Sequence, residues 1–219
     1  MLFESRHPEG QAVEFAALEV FSRVAAWTGG MAARRVARIL GNALVSGKKV
    51  LDIGTGPGTI PLHLARLHPG LNILGLDISF DMLKKASIHR ERMERPMPLT
   101  AADGEYLPFK NDSIDIVTSL FSLHHMDNPG KLFREIDRVL KPGGTLLIID
   151  FRRDMSRVLF SVLNTLWQGM FYFSAGRKGF YDSARSAWTS KELELALKEN
   201  NISRFNVNSN PMEIFVTSS

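Results

Sequence analysis

The 219-residue chain contains no cysteine. Disulfides, thiolate metal centres and a cysteine nucleophile are therefore excluded, and the composition is compatible with a cytoplasmic protein. A strong charge of one sign is also missing: 27 Lys and Arg against 23 Asp and Glu leave a formal net charge of +4. The basic residues are spread along the chain, so a phosphate-bearing partner is permitted but not demanded. The opening MLFESRHPEG is charged and proline-bearing and lacks the apolar run of a signal peptide. No internal repeat, linker or low-complexity tract is visible.

What is present is one core's worth of apolar residues, 44% of the chain, at a length that does not call for two domains. Residues 11–46 read as two helices, with apolar residues recurring every three or four positions and Thr28-Gly29-Gly30 closing the first. The pattern then changes. VLDI (50–53), LNILGLDI (71–78), IDIVTSL (114–120) and TLLIID (145–150) are short apolar runs suited to strands buried on both faces, with a weaker run at Met97–Ala101. Helical stretches separate them: IPLHLARL, DMLKKASIHRERM after an N-cap at Ser79, and DNPGKLFREIDRVL, which stops at Lys141-Pro142-Gly143-Gly144. Such alternation predicts one α/β domain built on a parallel sheet covered by helices.

The stretch VLDIGTGPGT (50–59) sets Gly54, Gly56 and Gly58 directly after a buried strand and before a helix. That arrangement lets a backbone curl around a ligand at a helix N-terminus. It is not a phosphate-binding P-loop, because no Gly-Lys-Ser/Thr follows. Asp77 ends the second strand, where a carboxylate accepts from both hydroxyls of an adenosine ribose. These two features fit NAD as well as other adenosine-bearing cofactors.

Further motifs separate the possibilities. VLDIGTGPG, LGLDISFDML, AADGEYLPFKNDSIDIV and SLHHMDNPGKLFREIDRVLKPGGTLLIID follow one another in an order that resembles the class I S-adenosylmethionine-dependent methyltransferases. The likeness is to the branch of the ubiquinone and menaquinone methyltransferases and their small-molecule relatives, and it runs from Val50 to Asp150. It implies a Rossmann-like fold: a seven-stranded, mostly parallel sheet with an antiparallel last strand and helices on both faces. It also implies S-adenosylmethionine as cofactor and S-adenosylhomocysteine as product. By the same resemblance, Gly54, Thr55, Gly56 and Gly58 let the backbone approach the methionine part and the sugar. Asp52 lies beneath the ammonium and Asp77 holds the ribose hydroxyls. Ile78 and Met82 pack against adenine, Asp103 accepts from its amino group, the Gly104 N–H faces a ring nitrogen, and Leu120 lines the methionine end. Met82 also reads as plain helix core, and Asp103 as a loop cap.

Transfer from a sulfonium needs alignment and exclusion of water, with a base only if the nucleophile arrives protonated. His124 and His125, after the fourth strand, are the candidate bases. Their other reading is that one fixes the loop by hydrogen bonds while its neighbour faces solvent. Adjacent rings seldom reach one ion and no third ligand is evident, so no metal is expected.

The uncharged segment Val158–Gly176 lies between Arg157 and Arg177. Ser161, Asn164, Thr165, Gln168 and Ser174 interrupt it, so it is not expected to span a membrane, though peripheral contact is open. It reads as a lid over a hydrophobic substrate, a dimer contact, or core. Arg152 and Arg153 before it read as solvated or as binders of an anionic substrate group. Thr189-Ser190-Lys191-Glu192 is a capping box for a last helix, and two strands around Asn210-Pro211 finish the sheet. The expected division is thus 1–46 N-terminal helices, 47–150 cofactor-binding core, 151–188 helical lid and 189–219 final helix and strands.

The expected acceptor is a small, lipophilic or aromatic molecule methylated on oxygen or carbon, with no DNA partner, by a monomer or homodimer. Ser119-Leu120-Phe121-Ser122 stands where nucleobase amino methyltransferases carry an (Asn/Asp)-Pro-Pro-(Tyr/Phe) motif. The rival readings are an RNA or protein methyltransferase, a non-catalytic module of the same fold and, more distantly, a nicotinamide-dependent oxidoreductase.

Overall fold

The computed structural model describes Arg6, residues 15–170 and residues 179–218. The expected helix residues 11–14, the rest of the N-terminal decapeptide and residues 171–176 of the uncharged segment lie outside them. In chain order the elements are α1 (Phe15–Leu40), β1 (Lys49–Ile53), α2 (Thr59–Leu67), β2 (Asn72–Asp77), α3 (Phe80–Met93) and β3 (Leu99–Ala101). There follow β4 (Ile114–Leu120), α4 (Pro129–Val139), β5 (Leu140–Phe151), α5 (Arg157–Met170) and α6 (Gly179–Ser186). The chain closes with α7 (Ser190–Glu199), β6 (Phe205–Ser209) and β7 (Glu213–Ser218).

The strands form one sheet in the order β3-β2-β1-β4-β5-β7-β6. All neighbours are parallel except the pairs made by β7, the antiparallel last strand. Adjacent residues of β1 point to opposite faces, and both faces are buried. Leu51 and Ile53 meet Leu132, Phe133 and Ile136 of α4 and Leu193 of α7. Val50, with Ile73, Ile116 and Leu147, meets Ala33, Val36 and Leu40 of α1 and Leu62 and Ala65 of α2. The winding reverses between β1 and β4, so the loops leaving those strands diverge and open a crevice at the carboxyl edge of the sheet.

Local signals set several boundaries. Ser79 Oγ accepts from Met82 N at 3.3 Å to start α3, and Asn128 Oδ1 accepts from Lys131 N at 3.0 Å to start α4 with Pro129 behind it. The capping box of α7 is complete: Thr189 Oγ1 accepts from Glu192 N, and Thr189 N donates to Glu192 Oε2 at 2.8 Å. The loop carrying Leu107-Pro108-Phe109 is stitched to α4. Glu135 accepts from Leu107 N at 2.7 Å, and Arg138 donates to the carbonyls of Leu107 and Phe109.

One expectation fails. Thr28-Gly29-Gly30 does not end a helix, because α1 runs through it without a break. The glycines serve contact between helices instead. A Cβ on Gly29 would stand 3.0 Å from Thr59 Cβ on α2, whereas one on Gly30 would meet His63 at an ordinary 3.6 Å. Gly29→Val is accordingly expected to cost about 1–3 kcal/mol by overpacking. Gly30→Ala is expected to gain up to about 1 kcal/mol of helix propensity. Urea unfolding of the two variants measures both, and equal effects would remove the packing explanation.

Candidate functional site

The site is built at the carboxyl edge, where β1 turns into the glycine loop. Gly54 has φ +68°. A Cβ there would lie 2.4 Å from both Cβ and Oγ of Ser122, which comes from the turn after β4. That turn is tied back in its own right: Ser122 Oγ donates to Ile53 O at 3.1 Å and bonds Ser119 Oγ at 2.8 Å. The residue that brings it there is Phe121, whose φ of +54° is rare for a bulky side chain. Nothing in the sequence marks this. On its other side the loop is held by Asp77, whose Oδ2 accepts from Gly56 N at 2.7 Å while Oδ1 accepts from Ser79 N at 2.8 Å. Thr55 N donates to Leu76 O, and Gly58, also left-handed, caps α2.

Asp52 and Asp77, the strand-end aspartates of β1 and β2, are both buried. Thr118 Oγ1 donates to Asp52 Oδ1 at 2.6 Å, and no ion pair reaches Asp52 among the described residues. Burial raises its pKa to about 6, with Asp77 adding to the shift and the Thr118 bond opposing it. Asp77 is also raised by burial, against the pull of the backbone N–H groups of Ser79 and Gly56. An ionised carboxylate offers about four acceptor positions, so two remain on Asp77 after those bonds.

The other predicted cofactor residues surround the loop. Ile78 is 47% exposed just beyond the end of β2. Met82 is buried in the first turn of α3. Asp103 Oδ1 accepts from Glu105 N at 2.9 Å, so this carboxylate does shape its loop. Gly104 is buried, and a Cβ there would crowd Ile53, Leu132 and Met126 at 3.0–3.3 Å. Leu120 ends β4, half-buried beside the crevice.

The histidines occupy a 3-10 turn, Leu123–His125. His124 is buried with Nδ1 2.8 Å from Asp150 Oδ1 at the end of β5, and its backbone N donates to Asp150 Oδ2 at 2.8 Å. The His125 ring lies 4.1 Å from that of His124, and its buried Nδ1 has no hydrogen-bond partner among the described residues. Burial, and then the adjacent His124, push His125 down to about 3, with Asp150 acting in the opposite sense. It is neutral at physiological pH. Arg6 clamps the turn from outside, donating to the carbonyls of His124 and Met126 at 2.9 and 2.8 Å and to Ser186 O at 2.7 Å.

Arg6 and Asp150 were not singled out from the sequence. Asp150 shares a signal with Asp52 and Asp77, since each is the aspartate closing a buried apolar run; Arg6 has none. Arg152 and Arg153 are corrected. Arg152 pairs with Asp154 at 2.8 Å, and Arg153 is buried, donating to Glu192 at 2.5 Å and to Ala187 O. Arg153 is therefore not solvated, while Arg152 stays partly exposed in its ion pair. No group of three metal-ligating side chains occurs among the described residues.

A left-handed glycine loop after the first strand, opening at the switch point beside two buried carboxylates, is how Rossmann-like α/β proteins receive a nucleoside or dinucleotide. This chain is of that class. Comparison with known proteins narrows it. Residues 51–148 match the family described as a methyltransferase domain. A malonyl-[acyl-carrier protein] O-methyltransferase of Legionella pneumophila is 33% identical over 123 residues, 56% of this chain and 42% of that protein. A demethylmenaquinone methyltransferase of Renibacterium salmoninarum is 37% identical over 120 residues, 54% and 48% of the two chains. The chain thus spans less than half the length of either relative. A crystal structure of a SAM dependent methyltransferase from Aquifex aeolicus shares the fold at a TM-score of 0.67 and 16% identity, covering 94% of this chain and 98% of that one. Over residues 51–148, somewhat under half of its length, the chain is thus similar to a methyltransferase domain, and its fold is the Rossmann-like one of the Aquifex structure.

The Asp52 shift carries a sign. A carboxyl whose folded pKa is raised contributes stability at low pH that is lost as pH climbs from about 4 through about 6. Asp52→Asn is expected to gain on the wild type over that window by about 2–3 kcal/mol. Urea unfolding at pH 4 and pH 7 measures the change; a gap independent of pH would contradict it.

Proposed function

We propose that the protein transfers the methyl group of S-adenosylmethionine to oxygen or carbon of a small lipophilic acceptor. The observation that carries this reading is the Asp52 carboxylate, buried next to the glycine loop without a protein cation to pair with it. Such a group suits the cationic methionine end of the cofactor. The two remaining acceptor positions of Asp77 suit the two ribose hydroxyls, and the exposed Ile78 suits the face of adenine. Asp103 and the Gly104 N–H take the edge of the base, and backbone at Leu120 lines the methionine end. The bound cofactor supplies a methyl group on a sulfonium, already activated for transfer.

The residues of the chain then have to align the acceptor, keep water out and receive any proton it loses. Phe121, Phe151 and Phe180 form a chain of rings with centroids 5.1 and 5.4 Å apart, beginning at the turn after β4 and ending on α6. The His124 ring lies 6.2 Å from Phe151. Helices α5 and α6 share a small cluster of their own, with Met155, Phe160 and Phe180 buried, rather than joining either main core. This separate packing supports α5 and α6 as a lid over an apolar acceptor. His124, its ring oriented by Asp150, takes the proton of a phenolic or acidic-carbon acceptor. His125 is too weak a base for that task. One relative is named for demethylmenaquinone, an acceptor of the lipophilic kind; the other is named for an acyl-carrier protein substrate.

The test gives the protein methyl-tritiated S-adenosylmethionine and a cell extract, which is then separated into lipid-soluble, water-soluble, RNA and protein fractions. Label is expected in the organic fraction. Label in RNA or protein would transfer the reading to those acceptors, and cofactor binding without any label would leave a non-catalytic module. Asp77→Asn is expected to weaken the cofactor at least about tenfold, as read by calorimetric titration. Asp77→Ala is the poorer variant, since it strands the N–H groups of both Gly56 and Ser79, whereas asparagine keeps an acceptor for one of them.

A further inference from the structure

The outer side of α1 carries Trp27, Met31, Arg34 and Arg38 along one helical face, all exposed, opposite the buried Ala33, Val36 and Leu40. Trp27 is 74% and Met31 58% exposed. Arg66 and Leu67 at the end of α2 continue the surface, Leu67 at 42%. Between the two helices is a cavity of about 60 Å³ lined by Gly30, Arg34, His63, Arg66 and Leu67, with no acid among them. None of Arg34, Arg38 and Arg66 pairs with a described carboxylate. The helices run side by side in the same direction, because Gly29 meets Thr59 and Arg34 shares the cavity with Arg66. Trp27 therefore stands at the level of the glycine loop, and the arginines lie further from the carboxyl edge.

Two arginines around a pocket the size of a small anion, with no counter-charge among the described residues, call for a phosphate-class group. The large apolar side chains beside them decide its source. A nucleic acid or a free ion would leave Met31 and Leu67 in water, whereas a lipid interface takes them and suits tryptophan. We propose that this face of α1 and α2 docks on an anionic phospholipid bilayer, a headgroup phosphate lying between Arg34 and Arg66 and Trp27, Met31 and Leu67 entering the interface. His63 supports it, since burial and then Arg66 and Arg34 lower its pKa, which shows both positive fields converging on the cavity. With Trp27 level with the glycine loop, docking would bring the site's mouth toward the membrane, where lipophilic molecules are dissolved. The surface itself rests on these residues and not on the acceptor.

The experiment sediments the full chain with vesicles of phosphatidylcholine alone or mixed with phosphatidylglycerol, at low and at high salt. Binding is expected only to the anionic vesicles, falling as salt rises. The double variant Arg34→Ser, Arg66→Ser is expected to weaken it about thirtyfold, and Trp27→Ala is expected to weaken it too. Calorimetric titration with S-adenosylmethionine is the control, its affinity unchanged in both variants. No sedimentation of the wild type with anionic vesicles, or equal partition of wild type and double variant, would overturn the proposal. So would calorimetric binding of inorganic phosphate or of an RNA homopolymer by a protein that ignores the vesicles. None of these vesicle results touches the methyltransferase reading, which stands or falls on cofactor titration and label transfer together.

Discussion

The absence of a side chain at residue 54 decides how the first loop meets the rest of the sheet. Where a Cβ would stand, Ser122 is already present, at 2.4 Å. The contact joins the turn after β1 to the turn after β4 across the switch point, the place at which a doubly wound sheet opens. Phe121 accepts a left-handed backbone to make this possible, at a cost of order 1–2 kcal/mol. The cost is offset by what the turn then holds: hydrogen bonds from Ser122 to Ile53 and Ser119, and the start of the histidine turn.

Three aspartates stand near the carboxyl ends of β2, β1 and β5, and their surroundings give them different work. Asp150 is committed to the ring and backbone of His124. Asp77 is half committed, one bond to each oxygen, and it ties the glycine loop to the start of α3. Asp52 has the hydroxyl of Thr118 and a carboxylate neighbour instead of a cation, and burial lifts it far from its ordinary range. The strain of a poorly compensated charge is concentrated at one point, where a cationic ligand relieves it most. A fold that paired all three would be more stable and would have less to bind with.

Helices α5 and α6 are a different kind of structure. Their aromatics pack on one another and, through Phe151, on the sheet, while Val158, Val162 and Leu166 face outward on α5. Arg6 reaches across from the N-terminal part of the chain to both the histidine turn and the end of α6, with its guanidinium 4.1 Å from the centre of the Trp188 ring. Helix α6 and the turn are thereby joined by a single side chain.

Strand and helix order, the parallel sheet, the glycine loop and the caps of α3, α4 and α7 were all legible in the residues. Each depends on a local rule: burial of apolar runs on both faces, a side-chain acceptor at a helix start, glycine where backbone must turn. The end of α1 was misread because glycine serves both to end helices and to let them touch, and a local window cannot tell which partner is near. The roles of Asp150, Arg6 and Arg153 were hidden for a related reason. Their partners lie 26, 118 and 39 positions away, and a salt bridge or carboxylate–imidazole bond has no periodicity to betray it. By itself the sequence determined where the glycine loop stands and that the sheet would be mostly parallel, since these follow from patterns within a turn or a strand. The tertiary structure alone decided which carboxylate stays uncompensated and which histidine is held, because charge and proton affinity depend on what burial brings within hydrogen-bond reach.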